Sequence, residues 1–124
     1  MYREYIHKVE HLLHKITGED DVLLTDGGNH ADIASTVAFA LAKKELKDPV
    51  VIAADIVAKI TALPEAVGLE VSAKGPYINF IFGGDYIAES VRAARHPDYG
   101  QLPARIERVI LEHTSANPNG PLHV

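Results

Sequence analysis

Residues 69–82 contain the pattern that most constrains the fold, which is two strand-like runs separated by a very short break. Leu69–Lys74 alternates apolar and polar side chains with a period of two, as expected for a half-buried strand. Gly75-Pro76 interrupts the chain, and Tyr77–Phe82 follows as a second strand. A link this short joins antiparallel neighbours. Together with helical segments elsewhere, the pair predicts an α+β fold, a small antiparallel β-sheet packed against helices.

Four segments have the apolar spacing of helices. They are residues 1–17, a segment from near His30 to Lys44, a segment from Asp48 to about residue 63, and a segment from Asp85 to about Arg95. The second helix is predicted to begin near His30 because Asn29 and Asp32 resemble a capping box. Asp48-Pro49 is a cap followed by proline at the first helical position. Val22–Thr25 is a further short strand candidate.

The last quarter of the chain is predicted to lie outside this fold. Residues 96–104 contain Pro97, Gly100 and Pro103, a composition typical of a linker. A final strand is predicted from Arg108 to Glu112. We therefore expect a domain at residues 1–96, a linker at 97–107, and the beginning of another domain at 108–124.

Composition excludes several classes of protein. The chain has no cysteine, which excludes disulfides and thiolate zinc sites. No apolar stretch is long enough for a signal peptide or a membrane span, so we expect a cytoplasmic protein without a membrane partner. The formal net charge is −5. Because affinity for a nucleic-acid backbone scales with the phosphates that lysine and arginine neutralise, any RNA binding must depend on a local site.

Residues 113–124 carry the most specific motif. Ser115, Asn117, Pro121 and His123 form a Ser-x-Asn-Pro-x-x-Pro-x-His pattern after the predicted strand. The stretch resembles the start of a class I aminoacyl-tRNA synthetase active site, whose signature is His-x-Gly-His, and it is similar to the arginyl enzyme in particular. Here the signature is present only as His123-Val124.

Two other stretches resemble the N-terminal domain of the same family. One is Gly28-Asn-His-Ala-Asp-Ile-Ala-Ser-Thr36, and the other is Lys74-Gly-Pro-Tyr-Ile-Asn-Phe80. The first departs from the family at Asn29–Asp32, where a Phe-Gly-Asp is common. Three motifs in the family's order are more specific than any one of them.

The resemblance implies a parent protein that is an ATP-dependent arginine–tRNA ligase. Its partners would be tRNA(Arg), arginine and ATP, with Mg as the metal that accompanies ATP. His123 would be a catalytic residue, and Ser115, Asn117 and His123 would bind arginine or ATP in the parent. The signature's second histidine would lie beyond Val124, so we expect this chain alone to be inactive and to hold no cofactor.

Tyr77, Asn79 and Lys74 are the predicted tRNA-binding residues. Strand alternation places Tyr77 and Asn79 on the face opposite Ile78, Phe80 and Phe82. Aromatic rings stack on unstacked RNA bases, and asparagine recognises a base edge by paired hydrogen bonds. The family resemblance implies that this domain contacts the outer corner of the tRNA and recognises a D-loop adenine. The alternative is that Tyr77 is an ordinary sheet residue and Asn79 an edge polar group.

The alternative function is a protein-interaction or docking module of the synthetase that makes no direct RNA contact. A positive rim near Tyr77, from Lys74 and Arg92, would favour RNA, whereas an apolar patch would favour protein. Lys43, Lys44 and Lys47 remain open between a solvated helix end and contacts to the RNA backbone.

Three histidines in the first helix invite a metal-site interpretation. His7, His11 and His14 fall on one helical face, but that face lies opposite the apolar stripe and therefore in solvent. Ligand histidines need partners that orient the rings, which a solvent face lacks. We predict no metal site.

Overall fold

The computed structural model describes residues 2–112, which form four α-helices and one four-stranded antiparallel sheet. The helices are α1 Tyr2–Thr17, α2 Val37–Glu45, α3 Pro49–Thr61 and α4 Gly84–Ala94. The strands are β1 Leu24–Asp26, β2 Ile33–Ser35, β3 Leu69–Lys74 and β4 Tyr77–Phe82. A short 3₁₀ turn at Pro64–Ala66 connects α3 to β3. The α+β prediction is confirmed.

The predicted hairpin forms the β3–β4 half of the sheet. Lys74 pairs with Tyr77 across a two-residue turn, in which Gly75 has a φ of +57° that residues with a Cβ rarely adopt. The strand order is β1-β2-β4-β3, so β4 is an interior strand with partners on both sides. Both predicted strands have the observed bounds.

One face of the sheet carries the hydrophobic core. Ile78 and Phe80 of β4 are fully buried there, and Ile33 of β2 lies opposite Phe80. The helices contribute further large buried side chains, which include Val9, Leu12, Leu13, Val37, Leu41, Ile52, Ile56 and Ile60. The opposite face carries exposed side chains such as Thr25 and Ser72. This second face is called the open face below.

The predicted start of the second helix is wrong. Residues 33–35 form β2, and α2 begins only at Val37. The capping-box resemblance was local, whereas Ile33 gains a buried position between β1 and β4 as a strand residue. Tertiary pairing thus overrode a local signal. The first strand also lies later than predicted, at Leu24–Asp26.

Other helix ends follow their sequence signals. α1 ends at Thr17, and the next residue, Gly18, has a φ of +73° and donates its N–H to the carbonyl of His14 at 2.7 Å. At α3, the Asp48 carboxylate accepts a hydrogen bond from the Val50 N–H at 2.8 Å.

Residues 101–112 have no helix or strand and are exposed throughout. The strand predicted at Arg108–Glu112 is therefore not formed, because none of the four described strands pairs with it. The division at residues 96 and 107 stays a prediction. Among residues 2–112, no helix is both long and apolar enough to cross a membrane.

Candidate nucleic-acid interface

Tyr77 and Asn79 occupy the open face, as strand alternation predicts. Tyr77 is 45% exposed, at the end of β4 that adjoins the hairpin turn. Asn79 is only 6% exposed, which an uncovered sheet face would not predict. A side-chain contact also crosses this face.

That contact joins Lys74 and His30. The Lys74 Nζ lies 3.2 Å from both ring nitrogens of His30. Lys74 belongs to β3 on one side of β4, whereas His30 belongs to the β1–β2 loop on the other side. Because helices fill the core face, the contact crosses β4 over the open face.

The β1–β2 loop is itself tied to β4. The Asp32 N–H donates to the Phe80 carbonyl at 3.0 Å, and the Phe82 N–H donates to the Asp32 carboxylate at 2.8 Å. These bonds anchor the loop at the Phe82 end of β4, away from Tyr77. His30 therefore contacts Lys74 from a loop that hydrogen bonds hold against β4.

The Asn79 carboxamide lies between two small cross-strand neighbours. Ala34 of β2 and Ser72 of β3 are its direct partners in the register. Within residues 2–112 the carboxamide makes no hydrogen bond to the protein, and Ser90 Oγ is the one fully buried side-chain polar atom there without a partner. The Asn79 amide therefore has a donor and an acceptor that no other residue of this range uses.

An aromatic pair lies next to Asn79 at the start of β4. The rings of Tyr77 and Phe39 meet edge to face, with centroids 5.7 Å apart and planes at 77°. Phe39 lies in the first turn of α2 and is 39% exposed. Sequence reasoning missed Phe39, a large apolar residue within the segment that was predicted to form the second helix.

The three lysines near the end of α2 differ in their contacts. Lys44 Nζ binds the Glu19 carboxylate at 2.7 and 3.0 Å. Lys47 lies 4.0 Å from the Glu45 carboxylate. Lys43 is exposed and has no ion pair with any of residues 2–112. Lys74 is the cation that pairs directly with Tyr77 across the hairpin, and no contact within residues 2–112 brings Arg92 to Tyr77.

The α1 histidines line a cleft of about 580 Å³ with Glu10, Asp20 and Asp21. His7 Nδ1 lies 3.0 Å from the Glu10 carboxylate, and His14 Nδ1 lies 2.9 Å from the Glu19 carbonyl. Among residues 2–112, no three histidine or acidic side chains are grouped closely enough to hold a metal ion.

Two pKa shifts belong to contacts made by α1. The Lys15 ammonium, 2.6 Å from Glu65, lowers the pKa of that carboxyl group. Burial, with the nearby Glu89 carboxylate, raises the pKa of Tyr5. These shifts bear on how α1 is held to the domain. Ser115, Asn117 and His123 lie outside the residues that the structure describes.

Comparison with known proteins identifies the family. The family described as "Arginyl tRNA synthetase N terminal domain" matches residues 3–82, more than half of the chain. An arginine–tRNA ligase from Methanocorpusculum labreanum is 69% identical over the whole chain, and one from Methanosphaerula palustris is 51% identical. The chain spans 22% of each of these relatives.

A solved structure agrees in fold. Thermus thermophilus arginyl-tRNA synthetase is similar with a TM-score of 0.53 and 28% identity, over 98% of this chain and 20% of that protein. Since its sequence, its fold and the extent of the family match agree, the chain belongs to the arginyl-tRNA synthetase N-terminal domain family.

Proposed function

We propose that this chain is the tRNA-contacting domain of an arginyl-tRNA synthetase, with the open face as its contact surface. The whole protein would attach arginine to tRNA(Arg), as the names of the relatives suggest. We expect this reaction to use ATP with Mg and to take place in the cytoplasm. The chemistry would belong to the rest of that protein, beginning with Ser115, Asn117 and His123. The part proposed for residues 2–112 is recognition.

One observation carries the proposal, which is an exposed aromatic ring beside a carboxamide that makes no hydrogen bond to any of residues 2–112. The Tyr77 ring is 45% exposed. Two residues further along β4, Asn79 has a donor and an acceptor that no other residue in the range 2–112 uses. A base that has left its stack can lie on the ring and direct one edge at the amide. Asparagine matches the adjacent acceptor and donor of adenine. The family resemblance implies a D-loop adenine at the outer corner of the tRNA, and this is the base proposed here.

Base entry requires the Lys74–His30 contact to move aside. That contact is a hydrogen bond between exposed side chains, so its loss should cost about 0.5–1.5 kcal/mol. The freed Lys74 ammonium is then next to Tyr77 and available to a phosphate. With a net charge of −5, the isolated chain should bind weakly and owe little to long-range attraction.

NMR titration of the ¹⁵N-labelled chain with a tRNA(Arg) transcript tests the proposal. Shifts should cluster at Tyr77, Asn79 and Lys74, and on the His30 loop that must move. A transcript whose D-loop adenine is replaced should produce smaller shifts at Asn79. Shifts confined to other surfaces would refute the open face as the contact.

A second candidate is the docking module, and α4 favours it. Ile87 and Val91, one turn apart on α4, are 65% and 57% exposed. Such a pair is typical of a surface that packs against another protein surface. In the same titration, an RNA-free docking module would leave the whole spectrum unchanged.

A further inference from the structure

The exposed side of α2 next to Tyr77 carries an aromatic ring and a cation one helical turn apart. We propose that α2 extends the RNA-binding surface, with Phe39 positioning the base on Tyr77 and Lys43 contacting the adjoining phosphate. This inference rests on the proposed function of the open face and adds a second element to it. The ligand is a single-stranded nucleotide that has left its stack.

Phe39 is placed to control the orientation of the Tyr77 ring. β2 and β4 pair at Ser35 and Ile78, so the chain enters α2 directly beside Tyr77. The edge-to-face contact at 5.7 Å then restricts the Tyr77 ring from its α2 side. A ring already held in one plane loses less freedom when a base stacks on it. With 39% of its surface exposed, Phe39 can also contact the base edge.

Lys43 follows Phe39 by four residues, which places both on the same side of α2. Helical side chains incline toward the helix N-terminus, so Lys43 is directed toward Phe39 and Tyr77. At helical spacing from Lys43 the chain has Phe39, Ala40, Leu46 and Lys47, none of them acidic. Within the described part of the chain no carboxylate forms an ion pair with Lys43, whereas Lys44 binds Glu19.

The two roles predict different signatures, because one contact is to a base and the other to a phosphate. Lys43→Ala should weaken binding of every tRNA variant, and should reduce the slope of log K against log salt by about 0.7. Phe39→Leu should weaken binding roughly 2- to 10-fold. Its salt slope should be unchanged, and its effect should shrink when the D-loop adenine is absent.

The test is NMR titration of the 124-residue chain with tRNA(Arg) transcripts at several salt concentrations. Lys44→Ala is the matched control for charge, since it removes the same charge from the next position of the same helix. Val51→Ala, on the exposed side of α3, is the control for loss of an exposed apolar group. Thermal unfolding of each variant confirms that the fold is retained.

Three outcomes decide the inference. It stands if Lys43→Ala lowers the salt slope more than Lys44→Ala does, and Phe39→Leu weakens binding more than Val51→Ala does. It is overturned if these variants match their controls while Tyr77→Ala still weakens binding, a result that leaves the proposed function intact. If Tyr77→Ala binds as the wild type does, the proposed function fails and the inference fails with it.

Discussion

Replacement of Asn79 by valine should stabilise the domain. Asn79 lies in an interior strand, is 6% exposed, and has no hydrogen bond to the described protein. Burying an amide without a partner costs about 1–3 kcal/mol, which solvent access at this site reduces. Asparagine is also disfavoured in strands relative to valine, on a scale that spans about 1 kcal/mol. We expect Asn79→Val to raise the free energy of unfolding by about 1 kcal/mol, or about 3–5 °C in Tm.

The matched control is Ser35, a buried polar residue of the neighbouring strand whose hydrogen bonds are made. Its hydroxyl donates to the Val22 carbonyl at 2.6 Å and accepts from the Val37 N–H at 3.2 Å. Ser35→Ala leaves both partners unsatisfied and should cost about 1–3 kcal/mol. Urea unfolding followed by circular dichroism measures both variants, provided that the slope with denaturant is unchanged.

A loss of 1 kcal/mol or more in Asn79→Val would refute this reasoning, since the amide would then be making a bond that the geometry does not show. The expected gain has a functional meaning. A residue whose removal stabilises the fold is retained for another reason, and recognition is the reason proposed here. The stabilised variant should accordingly lose discrimination of the D-loop adenine.

Three further predictions concern the scaffold. Asp48→Ala removes the cap on the Val50 N–H and should cost about 1 kcal/mol in urea unfolding, and an unchanged midpoint would contradict the cap. Because the pKa of Glu65 is lowered, the stability it contributes is present above the ordinary value of 4.5 and lost as the pH falls through the lowered pKa. Tm should therefore fall as the pH is lowered, and it should fall less in Lys15→Ala than in the wild type. The same dependence of Tm on pH in both proteins would argue against a role of this ion pair. The free energy of unfolding of a chain ending at His96 should lie within about 0.5 kcal/mol of that of the 124-residue chain, because residues 101–112 are exposed. A larger loss of stability would show that the domain extends beyond His96.

The sequence predicted the elements whose signals are local. The β3–β4 hairpin followed from period-two alternation around Gly75-Pro76, and α3 followed from Asp48-Pro49. The β2 strand could not be predicted this way. Its three residues are strand only because β1 and β4 pair with them, and the capping resemblance at Asn29 pointed to a helix instead.

The candidate site was predictable in part for the same reason. Alternation along β4 was enough to place Tyr77 and Asn79 on one face. Lys74 and His30 are in contact although they lie 44 residues apart in the sequence. The Phe39–Tyr77 pair depends on where α2 begins. Neither has a signature in local sequence. Tertiary contacts of this kind decide what the open face presents to a ligand.

Recognition of one base by Asn79 is the central claim, and aminoacylation kinetics test it most directly. The measurement compares kcat/KM of the complete synthetase and its Asn79→Ala variant, each with tRNA(Arg) and with a D-loop adenine substitution. The wild type should lose about 1–3 kcal/mol, or roughly 5- to 150-fold, on the substituted tRNA. In Asn79→Ala that penalty should largely disappear, whereas Tyr77→Ala should lose about 1–3 kcal/mol of stacking in use of the unsubstituted tRNA. If Asn79→Ala retains the full penalty for the substitution, the claim that Asn79 recognises the base is wrong.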